Sequence, residues 1–233
     1  MTLAIGVMAR APLPGRCKTR LLGARSPEWV AALARAMLED TLQRLDMLRA
    51  KRRLVLVAPL GAEVGTGAGA PAPLDARAAV ASSVPAGWQI ALQRGEGLGE
   101  RLDDAMATLL DGGASRAMIV GSDCPHMPLA ELAEIAELAD VLDVLLGPTT
   151  DGGYYLIAAR RREPRLFRGI AWSTPRVLGE TLERCAELKL RAHLLPLSYD
   201  VDEPADLERL SADLALSPQL APRTAVALRA RSR

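Results

Sequence analysis

The chain has 233 residues, 49% of them hydrophobic and 24% charged, which is enough apolar material for a sizeable core and too much for a disordered chain. Aromatics fall to 3%, so Leu, Val, Ile and Ala must build that core, and 29 Lys and Arg against 28 Asp and Glu lack the basic excess of a domain dedicated to nucleic acid. Cys17, Cys124 and Cys185 are odd in number and far apart, which fits neither a disulfide framework nor a C-x-x-C metal knuckle and points to a reducing cytoplasm. No stretch reaches the roughly 18 consecutive apolar residues of a membrane span. The apolar run from Leu3 to Met8 starts too early, and without a basic flank, to be a signal peptide.

That first run is short, continuous and followed by A-R-A-P-L-P-G, the pattern of a buried strand ending in a loop. Ser26, Pro27 and Glu28 then predict a helix start, with apolar residues at helical spacing to Leu48. Residues 53–58 predict a second buried strand, and the Gly-, Ala- and Pro-rich stretch 60–87 a loop with one helical turn or two. A third strand at 88–92 precedes Gly95, Gly97 and Gly99 and a helix from Glu100 to Leu110. The apolar run 117–120, the turn G-S-D-C-P and a helix over 128–139 complete a third round of parallel β-α-β winding.

The order then changes. Strands at 143–146 and 154–158, joined by only G-P-T-T-D-G-G, must be antiparallel, because a parallel crossover needs a longer connection. Thr174 and Pro175 predict a helix to Leu190, residues 193–197 a strand, and Y-D-V-D-E-P-A-D-L the entry to a last helix. Residues 1–216 are expected to form one α/β domain with a mostly parallel mixed sheet. Residues 217–233, with four Arg and no acid, are expected to be a basic, poorly anchored tail.

Ligands of open α/β sheets bind beyond the carboxyl ends of the strands, so chemistry is sought just past each apolar run. After the first strand, Arg10, Arg16, Lys18 and Arg20 crowd around Gly15, a cationic loop suited to phosphates or simply a solvated one. It is not a nucleotide P-loop, which would need glycines where Pro12 and Cys17 stand. Gly97, Leu98 and Gly99 offer close backbone approach to a ligand, or a plain turn into a helix; Glu100 breaks the dinucleotide glycine spacing.

Asp123, directly after a strand, is the leading candidate to hold a magnesium-type ion between phosphate oxygens, with a helix cap as its alternative. Asp200 and Asp202 share one side of an extended segment and can complete a metal site, unless Asp202 caps the last helix. Asp151 is either a catalytic carboxylate or a turn former beside Gly152 and Gly153. Neither Cys124 nor His126 is backed as a nucleophile or base, since nothing nearby in sequence activates them.

The ordered motifs M-A-R-A-P-L-P-G-R-C-K-T-R-L, G-S-D-C-P, D-G-G-Y-Y-L, W-S-T-P and D-V-D-E-P-A-D-L resemble, from Leu3 to Leu210, the glycosyltransferase-like family known as selenodomain-associated transferase 1. Some of its members are assigned to arsenosugar biosynthesis, and it belongs to the GT-A nucleotide-diphospho-sugar transferase superfamily. The resemblance implies a Rossmann-like GT-A three-layer sandwich that binds a nucleotide or nucleotide sugar with Mg²⁺ or Mn²⁺, beside a small-molecule acceptor.

By match it suggests Arg16, Lys18 and Arg20 for phosphates, Gly97, Leu98 and Gly99 beside the base, and Asp123 as the metal carboxylate. The superfamily's D-x-D is absent, Gly121 and Ser122 preceding Asp123. D-V-D-E-P-A-D-L also resembles a segment of guanylyltransferases acting on phospholactate, where an aspartate at this edge helps hold metal.

Two activities are therefore expected in turn: glycosyl transfer from a nucleoside diphosphate sugar, or nucleotidylyl transfer from a nucleoside triphosphate to a phosphorylated or carboxylated acceptor. Asp151, Tyr154, Trp172 and Ser173 are the candidates for placing an acceptor, with Trp172 as readily a core residue. A non-catalytic nucleotide-binding subunit is the third possibility, and the three candidate carboxylates with a cationic loop argue against it.

Overall fold

The computed structural model describes residues 2–60, 73–128 and 141–230. Their centre is a seven-stranded sheet of β1 (Leu3–Ala9), β2 (Arg52–Val57), β3 (Gln89–Leu92), β4 (Arg116–Gly121), β5 (Val144–Pro148), β6 (Tyr154–Ala159) and β7 (Ala192–Leu194), in the order β3-β2-β1-β4-β6-β5-β7. Only β6 runs against its neighbours, pairing antiparallel with both β4 and β5. The short 149–153 connection therefore makes the hairpin that its length requires. As a result the carboxyl ends of β1, β2, β3, β4, β5 and β7 and the amino end of β6 line one edge.

Val7 of β1 lies opposite Val55 of β2 and Val120 of β4, and all three are fully buried. Continuous apolar strands of this kind need cover on both faces. One face is covered by α1 (Pro27–Asp46) through Leu38, Leu42 and Leu45, and by α2 (Pro73–Ala81) through Ala76 and Val80. The other is covered by α3 (Leu98–Leu110) through Leu102, Met106 and Leu109, and by α4 (Val177–Glu187) through Cys185. The result is the expected three-layer α/β sandwich.

The local signals explain most boundaries. Ser26 caps α1, its hydroxyl oxygen accepting a hydrogen bond from the Trp29 amide at 3.3 Å, and Pro27 occupies the first turn. Helix α4 begins at Val177, later than Thr174 and Pro175 suggest. The Thr174 hydroxyl instead donates to the Ala171 carbonyl at 2.7 Å and accepts from the Arg176 amide, closing a turn ahead of the helix. The stretch 73–81 is a nine-residue helix rather than a turn or two. The helix expected over 128–139 lies outside the described residues, as do 61–72 of the Gly- and Pro-rich stretch.

The expectation of a poorly anchored tail is corrected. After α5 (Pro204–Leu216) the chain forms α6 (Pro222–Arg229), which packs against the second face of α1. There Val30, Leu33 and Met37 of α1 meet Leu207, Leu210 and Leu214 of α5 and Ala221 and Ala225 at the start of α6. The anchor is Asp40, buried on α1, whose carboxylate accepts from the amides of Arg223 (3.2 Å) and Thr224 (2.7 Å) and from the Thr224 hydroxyl (2.8 Å). Trp29 Nε1 adds a bond to the Ala230 carbonyl at 2.9 Å, and Arg223 pairs with Glu39 at 3.5 Å.

A carboxylate at the amino end of a helix satisfies orphan amides and meets the positive end of the helix dipole, so α6 is capped from another element. Replacing Asp40 by Ala leaves two buried donors unmet. It should cost about 2–3 kcal/mol, seen as a lower denaturant midpoint together with faster tryptic cleavage at Arg223 and Arg229.

Candidate active site

Four segments meet at the carboxyl edge. The loop after β1 carries Lys18, the end of β4 carries Asp123, the β5–β6 turn carries Asp151, and the stretch between β7 and α5 carries Asp200 and Asp202. Lys18 ties the first, second and fourth together. Its Nζ donates to Asp123 Oδ1 at 2.6 Å, to the Val201 carbonyl at 2.6 Å and to Asp202 Oδ1 at 3.4 Å. Its side chain is only 6% exposed, against 44% and 45% for the two aspartates.

The Lys18 backbone is left-handed, φ 43° and ψ 50°, a conformation unusual for a residue with a Cβ and of the kind found at functional sites. Burial alone would favour a neutral amine, but Asp123 and Asp202 outweigh it and the pKa of Lys18 is raised.

D-V-D-E-P-A-D-L divides its labour. Val201 is fully buried and turns into the core beside α1 and α5, and its amide bonds the Asp123 carbonyl at 2.9 Å. The side chain of Asp206, in the first turn of α5, accepts from the amides of Asp202 and Glu203 at 3.0 and 2.7 Å. Since Asp206 serves the helix end, the Asp202 carboxylate is left for Lys18 and the edge. Asp200 is half-buried, and its pKa is pushed up to about 8 by burial first and then by the charges of Asp123, Asp151 and Asp202, with Lys18 opposing.

Asp151 also holds its own turn. It accepts from the Thr149 hydroxyl at 2.5 Å and the Gly153 amide at 3.0 Å, so the turn-forming reading of this residue is realised while its charge still reaches Asp200. Gly152 is the contact point for the next loop. Its φ is +87°, and a Cβ there would lie 2.1 Å from the Pro175 carbonyl oxygen. The Leu178 amide bonds the Gly152 carbonyl at 2.8 Å, which seats W-S-T-P on the turn.

Trp172, half-buried, meets the Tyr154 ring edge-on at 6.4 Å, and Ser173 is exposed with φ 62°. Gly97 caps α3 and Leu98 is 43% exposed, but Gly99 is taken up by packing. A Cβ on it would lie 2.6 Å from the Phe167 carbonyl and 2.7 Å from Trp172 Nε1. Arg10, Arg16 and Arg20 are exposed on the first loop, with Gly15 at φ +72° in open space and Arg20 near Glu203 at 3.8 Å.

A second polar group that the sequence did not single out lies behind the acidic edge. Ser198 Oγ is 3.1 Å from Cys124 Sγ and 3.4 Å from His126 Nε2, which stitches the Asp123 loop to the segment leading to Asp200. The two loops meet only through the β4-β6-β5-β7 order, which no local pattern gives away. Burial raises the Cys124 thiol to about 12, against the Ser198 bond, and lowers His126 to about 4. A thiol and a neutral imidazole in this state support the loops and are poor choices for a nucleophile and its base.

Donor chemistry bears on a divalent ion. The edge offers hard carboxylate oxygens, the type preferred by Mg²⁺ and Mn²⁺. Four carboxylates face one ammonium, and the raised pKa of Asp200 registers that surplus of negative charge. The residues therefore fit such an ion. As the side chains stand, no three acidic, His or Cys groups among the described residues close around a single point. Lys18 stands between two of the carboxylates.

Two outcomes follow from this geometry. The raised pKa of Asp200 means that the folded chain holds a proton which the unfolded chain releases, so its contribution to stability is complete below about pH 4 and is lost as pH rises through about 8. Between pH 5 and pH 8.5 the EDTA-treated protein should lose more thermal stability than its Asp200→Asn variant; equal losses would show that Asp200 ionises normally. Gly152→Ala should cost at least about 2 kcal/mol through overpacking and left-handed strain, with Trp172 fluorescence shifting to the red as its loop lifts.

No curated protein matches the sequence. Residues 68–174 match the family described as "Uncharacterized protein conserved in bacteria (DUF2064)". A Desulfovibrio desulfuricans G20 protein described as a candidate nucleotide-diphospho-sugar transferase is 31% identical, with 98% of this chain and 95% of that one covered and a TM-score of 0.84.

More distant structures share the fold alone. They include a CMP:2-keto-3-deoxy-manno-octonic acid synthetase complexed with CTP (17% identity, 93% and 99% covered, TM-score 0.55). Another is a Mycobacterium tuberculosis H37Rv protein in complex with manganese (16%, 90% and 98%, 0.53). No described helix is long and apolar enough to cross a membrane. The chain belongs to the DUF2064 family and has the fold of nucleotide-diphospho-sugar transferases.

Proposed function

We propose that this chain is a metal-dependent transferase of the selenodomain-associated glycosyltransferase type, taking a nucleoside diphosphate sugar as donor. The observation that carries the reading is the convergence of Lys18 with Asp123 and Asp202 at the carboxyl edge, flanked by the exposed Arg16 and Arg20. An edge that bears both signs of charge suits a polyphosphate bridged to a cation. The similarity to the Desulfovibrio protein supports the same donor class.

Asp123 and Asp202, with Asp200 behind them, would hold Mg²⁺ or Mn²⁺. The ion supplies charge neutralisation on the phosphate oxygens. Lys18, Arg16 and Arg20 bind the diphosphate and stabilise the charge that grows on it as the sugar leaves. Gly97 and Leu98, at the start of α3, would lie beside the nucleoside. Asp151, with Tyr154 beside its turn and Trp172 and Ser173 on the loop seated against it, would place the acceptor. The half-buried Trp172 supplies an apolar wall that excludes water.

Nucleotidylyl transfer is the second reading, favoured by the same Lys18 contact, which suits a departing pyrophosphate as well as a nucleoside diphosphate. Incubation with nucleotide sugars and then with nucleoside triphosphates, each with Mn²⁺, separates the two. Release of nucleoside diphosphate is expected, and pyrophosphate release would replace the first reading by the second. Asp123→Asn should lower turnover by at least about 100-fold, measured as product release. An unchanged Mn²⁺-dependent rate would remove Asp123 from the site.

A further inference from the structure

Lys18 has three ammonium hydrogens and three oxygen partners, Asp123 Oδ1, the Val201 carbonyl and Asp202 Oδ1. Every donor is committed, and the side chain is withdrawn from solvent. A lysine in this state has no hydrogen left for a phosphate. A divalent ion gripping the same two carboxylate oxygens would have to share them with a cation already within hydrogen-bond reach.

We propose that Lys18 is a resident counter-cation: in the nucleotide-free protein its ammonium occupies the place between Asp123 and Asp202, and a divalent ion gains those carboxylates only when phosphates draw Lys18 away. The inference rests on the nucleotide-phosphate reading of the ledge and adds to it an order of events.

Three further features agree. The left-handed backbone at Lys18 is a locally strained state, so a move of this residue toward a commoner conformation would relieve strain. Arg16 and Arg20 stand exposed on either side of it in sequence, where they meet an arriving diphosphate before Lys18 is released. Once Lys18 turns to the phosphates, Asp123 and Asp202 lose their neutralising partner, and the half-buried pair then attracts a cation more strongly than before. Phosphate binding and metal binding are thereby coupled in the same direction.

The test titrates Mn²⁺ into the EDTA-stripped full chain, with free Mn²⁺ followed by electron paramagnetic resonance. Wild type, Lys18→Met and Lys18→Gln are compared without nucleotide. Wild type is also titrated with UDP, CDP or GDP, and nucleotide binding is read separately by calorimetry. Wild type alone should bind Mn²⁺ weakly, and either variant at least tenfold more tightly.

Variants that bind Mn²⁺ no better than wild type overturn the proposal, as does wild type that binds nucleotide and yet takes Mn²⁺ as tightly alone as with it. Circular dichroism identifies a variant that does not fold, in which case the wild-type arms decide: weak binding alone with gain on adding nucleotide supports the proposal, and tight binding alone refutes it. Absence of nucleotide binding in every arm defeats the functional reading instead, while the metal-only comparison still judges the role of Lys18.

Discussion

One ammonium holds the edge of this molecule together. Lys18 arrives from the loop after β1, and its partners come from the end of β4 and from the segment between β7 and α5, so a single side chain joins positions more than 100 and more than 180 residues away. Without it, Asp123 and Asp202 would repel across a half-buried space already made acidic by Asp151 and Asp200. The pair is better understood as a constraint on shape than as a source of stability, since desolvation cancels much of what such contacts gain. What it secures is register: the Val201 amide on the Asp123 carbonyl and Ser198 beside Cys124 repeat the same join through neutral groups.

The sheet serves that constraint. Winding β1 to β4 in parallel delivers two loops to one edge, and the reversed strand β6 returns the chain so that the 149–153 turn reaches the same edge without a crossover. Gly152 then lets Pro175 approach, and Gly99 lets Trp172 approach, so the wall beyond the acidic cluster is placed by two missing side chains.

Most of this frame was legible in the residues. Short apolar runs marked the strands because a doubly covered sheet tolerates little else, Ser26-Pro27 marked α1, and the brevity of G-P-T-T-D-G-G required the antiparallel pair. Asp123, Asp200 and Asp202 were legible as a group because strand ends are where a sheet exposes function. What was hidden depended on long-range contact. Whether Gly99 faces a ligand or a tryptophan, and which of Asp202, Glu203 and Asp206 serves the helix, cannot be read from spacing alone. Asp40 looks like any acid on a helix until α6 is laid across it. A run of Arg without acids suggested a solvated end because the complementary charges, Glu39 and Asp40, lie 180 residues earlier.

The docking of α6 has a consequence for how the molecule is made. The second face of α1 carries Val30, Leu33 and Met37, which emerge early from the ribosome, yet most of the side chains packed with them belong to residues from Tyr199 onward. Until those follow, an apolar strip on an otherwise finished helix remains uncovered. Folding of so non-local a contact is slow, and the nascent chain is therefore open to chaperones, or to aggregation, through most of its synthesis.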